Sequence, residues 1–123
     1  MQHMAQLLGK NLLPEPHQEP LQKTLIKRWS ENDKKAYLAS INAIIGWSVA
    51  DRLSTIKCPT LVLSADNDYT AIYYKEEYVN KIPCAELIVI DNSRHLSPID
   101  QPKQVNATIL KFLFARMASQ GRH

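Results

Sequence analysis

Cysteine is scarce in this sequence of 123 residues: only Cys58 and Cys84 are present. Two cysteines do not make a disulfide framework. Each stands beside a proline at the approach to a strand-like run, so buried free thiols and a reducing, cytoplasmic setting are expected. Neither falls in a Cys-x-x-Cys or Cys/His cluster, so no structural zinc is implied. An excess of one charge sign is also missing. Fifteen basic against twelve acidic residues leave a net charge of +3, too small and too scattered to argue for nucleic acid. The densest basic patch (Lys23, Lys27, Arg28, Lys34, Lys35) has helical spacing and reads as a solvated face. Apolar runs are only a few residues long, so no membrane span is expected, and the first residues lack the charged-then-apolar pattern of a signal peptide. Glycine occurs only at Gly9, Gly46 and Gly121. With 45% hydrophobic and 22% charged residues, disorder is excluded and one domain with a real core is expected.

Leu7, Leu8, Leu12 and Leu13 precede Pro14, Pro16 and Pro20, which break any long helix. Leu21, Leu25, Ile26 and Trp29 then follow an amphipathic helical pattern. Ser30 can cap a further helix, with Asp33 favouring its positive end. That helix carries Tyr37, Leu38, Ile41, Ile44 and Ile45 and ends near Gly46; a third short helix over Val49 to Leu53 follows. The pattern then changes. Thr60–Ser64 and Leu87–Ile90 are compact, Val- and Ile-rich runs that fit buried parallel strands. Between them Tyr74, Tyr78 and Ile82 have helical spacing, which makes a strand–helix–strand unit. Residues 101–117 predict a final helix with Pro102 in its first turn and Val105, Ile109, Phe112, Leu113 and Met117 on its inner face. The fold class is therefore α/β. Residues 1–52 form a helical, cap-like segment with a return link, and residues 53–123 a β-α-β-α unit. Two parallel strands need more cover than these helices offer. Further strands upstream in a longer parent, or a partner chain, are expected.

In open α/β sheets, functional residues gather at the carboxyl ends of strands. Asp68 follows the first strand and His95 the second, so a strand-to-strand step brings an aspartate to a histidine. In such a pair the aspartate accepts a hydrogen bond from one imidazole nitrogen. That contact fixes the tautomer and stabilises the imidazolium formed when the other nitrogen takes a proton.

The segment Ile56-Lys57-Cys58-Pro59-Thr60-Leu61 through Ala65-Asp66-Asn67-Asp68 resembles the part of α/β-hydrolase-fold enzymes that delivers the triad acid, an Ile-x-x-Pro-Thr-Leu strand followed by a Gly-x-x-Asp turn. Asp68 matches the acid, and Ala65 stands where glycine is usual. Ser93-Arg94-His95 through Asp100-Gln101-Pro102 resembles the segment bearing the triad histidine, with Arg94 in place of a glycine and His95 as the histidine. The resemblance covers residues 53–118, and residues 21–52 look like the helical cap of that fold. It implies the C-terminal part of a hydrolase acting on an ester, thioester, lactone or similar small acyl substrate. His95 would be the general base, oriented by Asp68, with no metal or organic cofactor.

The family's nucleophile sits in a Gly-x-Ser-x-Gly elbow. The one lookalike, Gly46-Trp47-Ser48-Val49-Ala50, lacks the second glycine and follows a helix pattern. The expectation is therefore that Ser48 links cap to sheet and that the chain alone is inactive. A complete small hydrolase using Ser48 is the competing enzymatic reading. A non-enzymatic half-domain that binds itself or a partner through an uncovered sheet edge is the alternative from another class. Asp66 competes with Asp68 as the acid, and either could be an ordinary turn residue; His95 could be a plain loop histidine. Asp100 reads as capping or charging the start of the last helix. Tyr69, Tyr73 and Tyr74 could wall a pocket or pack on a helix face. His3, His17 and His123 show no partner pattern.

Overall fold

The computed structural model describes residues 1–120, with side chains through Met117. Its contacts divide the chain into two compact units, Met1–Val49 and the residues from Ala50 on.

The first unit is helical: α1 (Gln2–Leu12), α2 (Glu19–Ser30) and α3 (Lys34–Ile44), with a 3-10 turn, Pro16–Gln18, between the first two. Its core comes from Ala5, Leu12 and Leu13, all buried. Gly9 allows a close approach of two helices. A Cβ there would stand 2.6 Å from Cγ1 of Ile26 on α2. Along α2, Leu21, Leu25, Ile26 and Trp29 are half-buried, as their spacing predicts. The cap of α3 differs from the expectation. Asp33, not Ser30, accepts the Ala36 N–H at 2.7 Å, while Ser30 is spent inside α2, donating to the Ile26 carbonyl. Ser30 still lies one helical turn too early to reach the orphan N–H groups of α3. The apolar stripe of α3 faces outward: Leu38 is 50% and Ile44 61% exposed.

The second unit opens with a 3-10 turn, Ala50–Thr55, where a short helix was expected. It continues through β1 (Thr60–Ala65), α4 (Ile72–Val79), β2 (Ala85–Ile90), α5 (Ser97–Asp100) and α6 (Pro102–Gln120). The strands pair in parallel, Thr60 opposite Ala85 through Ala65 opposite Ile90. Ala65 and Ile90 are buried at the carboxyl ends, and Val105 buries the start of α6 beside them. Of the rest of the expected inner face, Phe112 is half-buried, whereas Ile109, Leu113 and Met117 are exposed. Ile82, just beyond α4, is buried as expected, but within the helix the inward residues are Lys75 and Val79, one position on from Tyr74 and Tyr78, which are exposed. A lysine takes the inward position because a carboxylate waits for it there.

Cys58 and Cys84 are free, as expected, but exposed rather than buried. Each lies just ahead of a strand, Cys58 before β1 and Cys84 before β2. No helix among the described residues is long and apolar enough to cross a membrane, and those residues hold no cluster of three or more metal-ligating side chains.

Candidate active site

The two loops at the carboxyl ends of β1 and β2 are tied to each other, and one aspartate does most of the tying. Asp66, directly after β1, accepts the backbone N–H of Asn92 at 2.8 Å and of Ser93 at 2.9 Å. Its own backbone N–H donates to the Ile90 carbonyl, and the Asn67 N–H to the Ser93 carbonyl. The Ser93 N–H foremost, with further hydrogen bonds from Asn92 and Asn67, holds the Asp66 carboxyl below the usual carboxylate range against the opposing effect of burial. Asn92 sits at a φ of 52°, a left-handed conformation that asparagine tolerates better than most residues. Asp66 is therefore a clamp on the second loop, and its carboxylate oxygens are already spent.

Asp100 clamps the other side of that loop. It accepts the Ser93 hydroxyl at 2.8 Å and the Arg94 N–H at 2.9 Å, so its carboxylate serves the histidine loop and not the N–H groups of α6. Gln101 and Gln104 add bonds to the Asn92 carbonyl and to the Asp91 backbone. Ser93, with both its N–H and hydroxyl engaged, is 1% exposed.

Between these clamps His95 meets Asp68. Nδ1 of His95 lies 2.9 Å from Oδ1 of Asp68. An ionised carboxylate only accepts hydrogen bonds, so Nδ1 is the donor in this contact, and in a neutral ring Nε2 would be left with the lone pair. The Asp68 side chain is 9% exposed and that of His95 46%. The acid is thus sheltered and the base reachable, the arrangement that proton transfer to Nε2 needs. Oδ1 of Asp68 also accepts the Tyr69 N–H at 2.8 Å. The Tyr69 ring stacks on the imidazole with centroids 4.1 Å apart. Burial, and then the Asp68 charge, push the Tyr69 phenol above its ordinary range.

The remaining oxygen, Oδ2, is 3.0 Å from Nζ of Lys75, whose side chain is 9% exposed. Lys75 also donates to the carbonyl and the hydroxyl of Thr70. Burial pushes the Asp68 carboxyl upward, but hydrogen bonds and charge from Lys75 and His95 outweigh it, so the carboxyl stays below its ordinary range. Nothing in the sequence marked Lys75: a lysine on a helix ordinarily reads as solvated. The Asp68-to-Lys75 separation, one acid just ahead of a helix and one lysine a turn inside it, is the only signal that could have found it.

Ser48 lies elsewhere in local structure. It follows α3, whose end leads into Gly46 at a φ of 76°, and no strand precedes it. The strand-to-helix turn that exposes an elbow serine is therefore not formed around it. His3 and His17 are exposed; Gly121 and His123 lie outside the described residues. A groove lined by Leu61, Ile88, Thr108, Phe112 and Ala115 runs between the sheet and α6, and none of the Asp68–His95 pair lines it.

No protein-family model matches the sequence. The chain is 32% identical over 84 residues to a protein of Rhizobium rhizogenes named carbamate hydrolase RutD, a match covering 68% of this chain and 32% of that protein. Among solved structures it is similar to a hydrolase from Pseudomonas aeruginosa, with a TM-score of 0.79 and 22% identity over 90% of this chain and 43% of the other. It is also similar to Est816, described as an N-acyl homoserine lactone degrading enzyme, with a TM-score of 0.71 and 24% identity, covering 87% and 45%. A serine hydrolase involved in carbazole degradation matches with a TM-score of 0.66 and 19% identity, covering 76% and 40%. The chain thus spans less than half the length of each of these relatives. All are hydrolases, and the parallel strands and helices of this chain have the α/β-hydrolase fold over part of those structures' length.

Proposed function

We propose that this chain supplies the acid and the base of a serine-type hydrolase, with His95 as general base and Asp68 as the residue that orients it. The observation that carries this reading is the 2.9 Å contact of Asp68 with Nδ1 of a half-exposed imidazole, at the strand ends where such folds place their chemistry. Nε2 would take the proton of an attacking hydroxyl, and Asp68 would stabilise the imidazolium that results. Nε2 would then return the proton to the leaving group. The nucleophile and its oxyanion-hole donors would belong to the portion of the relatives' length that this chain does not span. The substrate would be an ester, thioester, lactone or similar small acyl compound, and the relatives' names, a carbamate hydrolase and an N-acyl homoserine lactone degrading enzyme, fall within or beside that range. The 123-residue chain alone would be inactive.

A second reading is favoured by a separate observation. β1 pairs only with β2 among the described residues, and Ile88, Leu110, Leu113 and Phe114 are all at least 37% exposed. An open parallel edge beside apolar side chains suits association with another chain. Under this reading the chain is a half-domain that self-associates without catalysis.

A chimera tests the two. This chain's matched segment replaces its counterpart in the Rhizobium relative, and hydrolysis of a p-nitrophenyl ester is followed. Activity that falls by about 10²–10⁴-fold in His95→Ala supports the catalytic reading. An active chimera indifferent to His95→Ala contradicts it.

A further inference from the structure

We infer that Lys75 is a positioning residue for the base: by holding Oδ2 of Asp68 it leaves only Oδ1 to meet His95 and so sets the imidazole tautomer. The inference rests on the proposed role of the Asp68–His95 pair and extends it to a residue on α4.

A carboxylate can turn about its terminal bond, and that rotation is broad and roughly two-fold. With Oδ2 unheld, the group could swing away from the ring while still accepting the Tyr69 N–H. Lys75 removes that freedom. An ammonium has three donors and no acceptor, and here all three are committed: to Oδ2 of Asp68, to the Thr70 carbonyl and to the Thr70 hydroxyl. Thr70 is in the same loop as Asp68, between β1 and α4, so Lys75 ties that loop to its own helix at two residues. At 7% exposure Lys75 has almost no access to water, so no solvent donor stands ready to replace it.

The cost of the arrangement identifies its purpose. A positive charge on Oδ2 weakens the attraction that Asp68 exerts on an imidazolium, so charge alone would argue against a lysine there. What Lys75 contributes is orientation. The other ionisable groups around the ring do not compete for this task. Tyr69 stacks on the imidazole. Arg94 enters through its backbone N–H, which Asp100 accepts. Asp66 binds the backbone of Asn92 and Ser93.

Nitrogen-15 spectra of the histidine rings in the full chain, at mildly alkaline pH, test this directly, with the His95 signals assigned by their loss in His95→Gln. The wild type should show the Nδ1–H tautomer, and Asp68→Asn should abolish that preference. Lys75→Met should shift the ratio towards Nε2–H by about tenfold, the scale of one charge-assisted hydrogen bond. Thr70→Val, which takes one anchor from Lys75 and leaves its charge, should shift it by less and in the same direction. A merely structural lysine would lower stability without moving the tautomer of the molecules that remain folded. An unchanged ratio in folded Lys75→Met overturns the role of Lys75 while leaving the pair intact. If that variant does not keep a dispersed amide spectrum, Thr70→Val decides, and an unmoved ratio there overturns it equally. A wild type in the Nε2–H form instead would sink the reading of Asp68 and His95 itself, and the inference with it.

Discussion

The loops after β1 and β2 and the outer face of α3 are built on opposite terms. In the loops, polar groups are buried or spent: Ser93, Ser97 and Lys75 are all under 9% exposed, and Asp66, Asp68 and Asp100 each accept two or more hydrogen bonds. On α3, apolar groups face outward, with Ile44 and Ile45 at 61% and 73% exposure. Polar burial is expensive unless every group is partnered, and no buried side-chain polar atom among the described residues lacks a partner. Such investment gathers where geometry must be held. An exposed apolar stripe is a candidate contact surface. The contrast separates a region held by its own polar contacts from one whose apolar side chains are left exposed.

Substitutions in the two regions should therefore differ in size. The largest effect is expected at the nearly buried ion pair. Lys75→Met leaves the Asp68 carboxylate uncompensated and should destabilise the chain by about 3 kcal/mol, the low end for breaking a buried pair, read from urea unfolding. Equal stability in that variant would mean that the loops are looser than their bonds suggest. Asp66→Ala comes next. It frees two backbone N–H groups of the histidine loop, but the residue is exposed, so about 1–2 kcal/mol is expected, below the usual worth of bonds to a charged group.

Acid should act on the same region. Asp66 and Asp68 both have folded-state carboxyls held below their ordinary range. Such groups contribute stability that is fully present above the unfolded-state value of about 3.9 and is lost as pH falls through the lower folded-state value. Unfolding midpoints measured from pH 6 down to pH 2 should fall across that acid range, and the fall should be shallower in Asp68→Asn. An equally steep fall in that variant would place the acid sensitivity elsewhere. The smallest effect is expected on α3. Ile44→Lys should change stability by no more than about 0.5 kcal/mol, because the side chain gives up little packing. A large loss there would mean that α3 is covered in solution and would erase the contrast.

The pattern of apolar runs carried most of this architecture. The two parallel strands, the helix between them and the final helix follow from composition and spacing, since buried strands and amphipathic helices leave plain signatures. Asp68 and His95 were legible because strand ends concentrate function. What the sequence hid depends on competition between neighbours. The inner face of α4 looked like Tyr74 and Tyr78 by hydrophobicity, yet Lys75 won the inward position through its charge partner, a contact that periodicity does not encode. Asp66 and Asp100 looked like a rival acid and a helix cap, and both prove to be loop clamps: Asp66 binds backbone N–H groups from a segment distant in sequence, and Asp100 turns back onto the Ser93 hydroxyl and the Arg94 N–H of the preceding loop. Cys58 and Cys84 were expected inside because each adjoins a strand, and both are exposed.

The central claim is that the chain presents base and acid without their nucleophile, and a fluorophosphonate probe tests it most directly. The folded chain is treated with the probe and digested, and adducts are mapped by mass spectrometry. The account predicts no adduct on any serine. An adduct on Ser48 that disappears in His95→Ala would contradict it and make the chain a self-sufficient hydrolase.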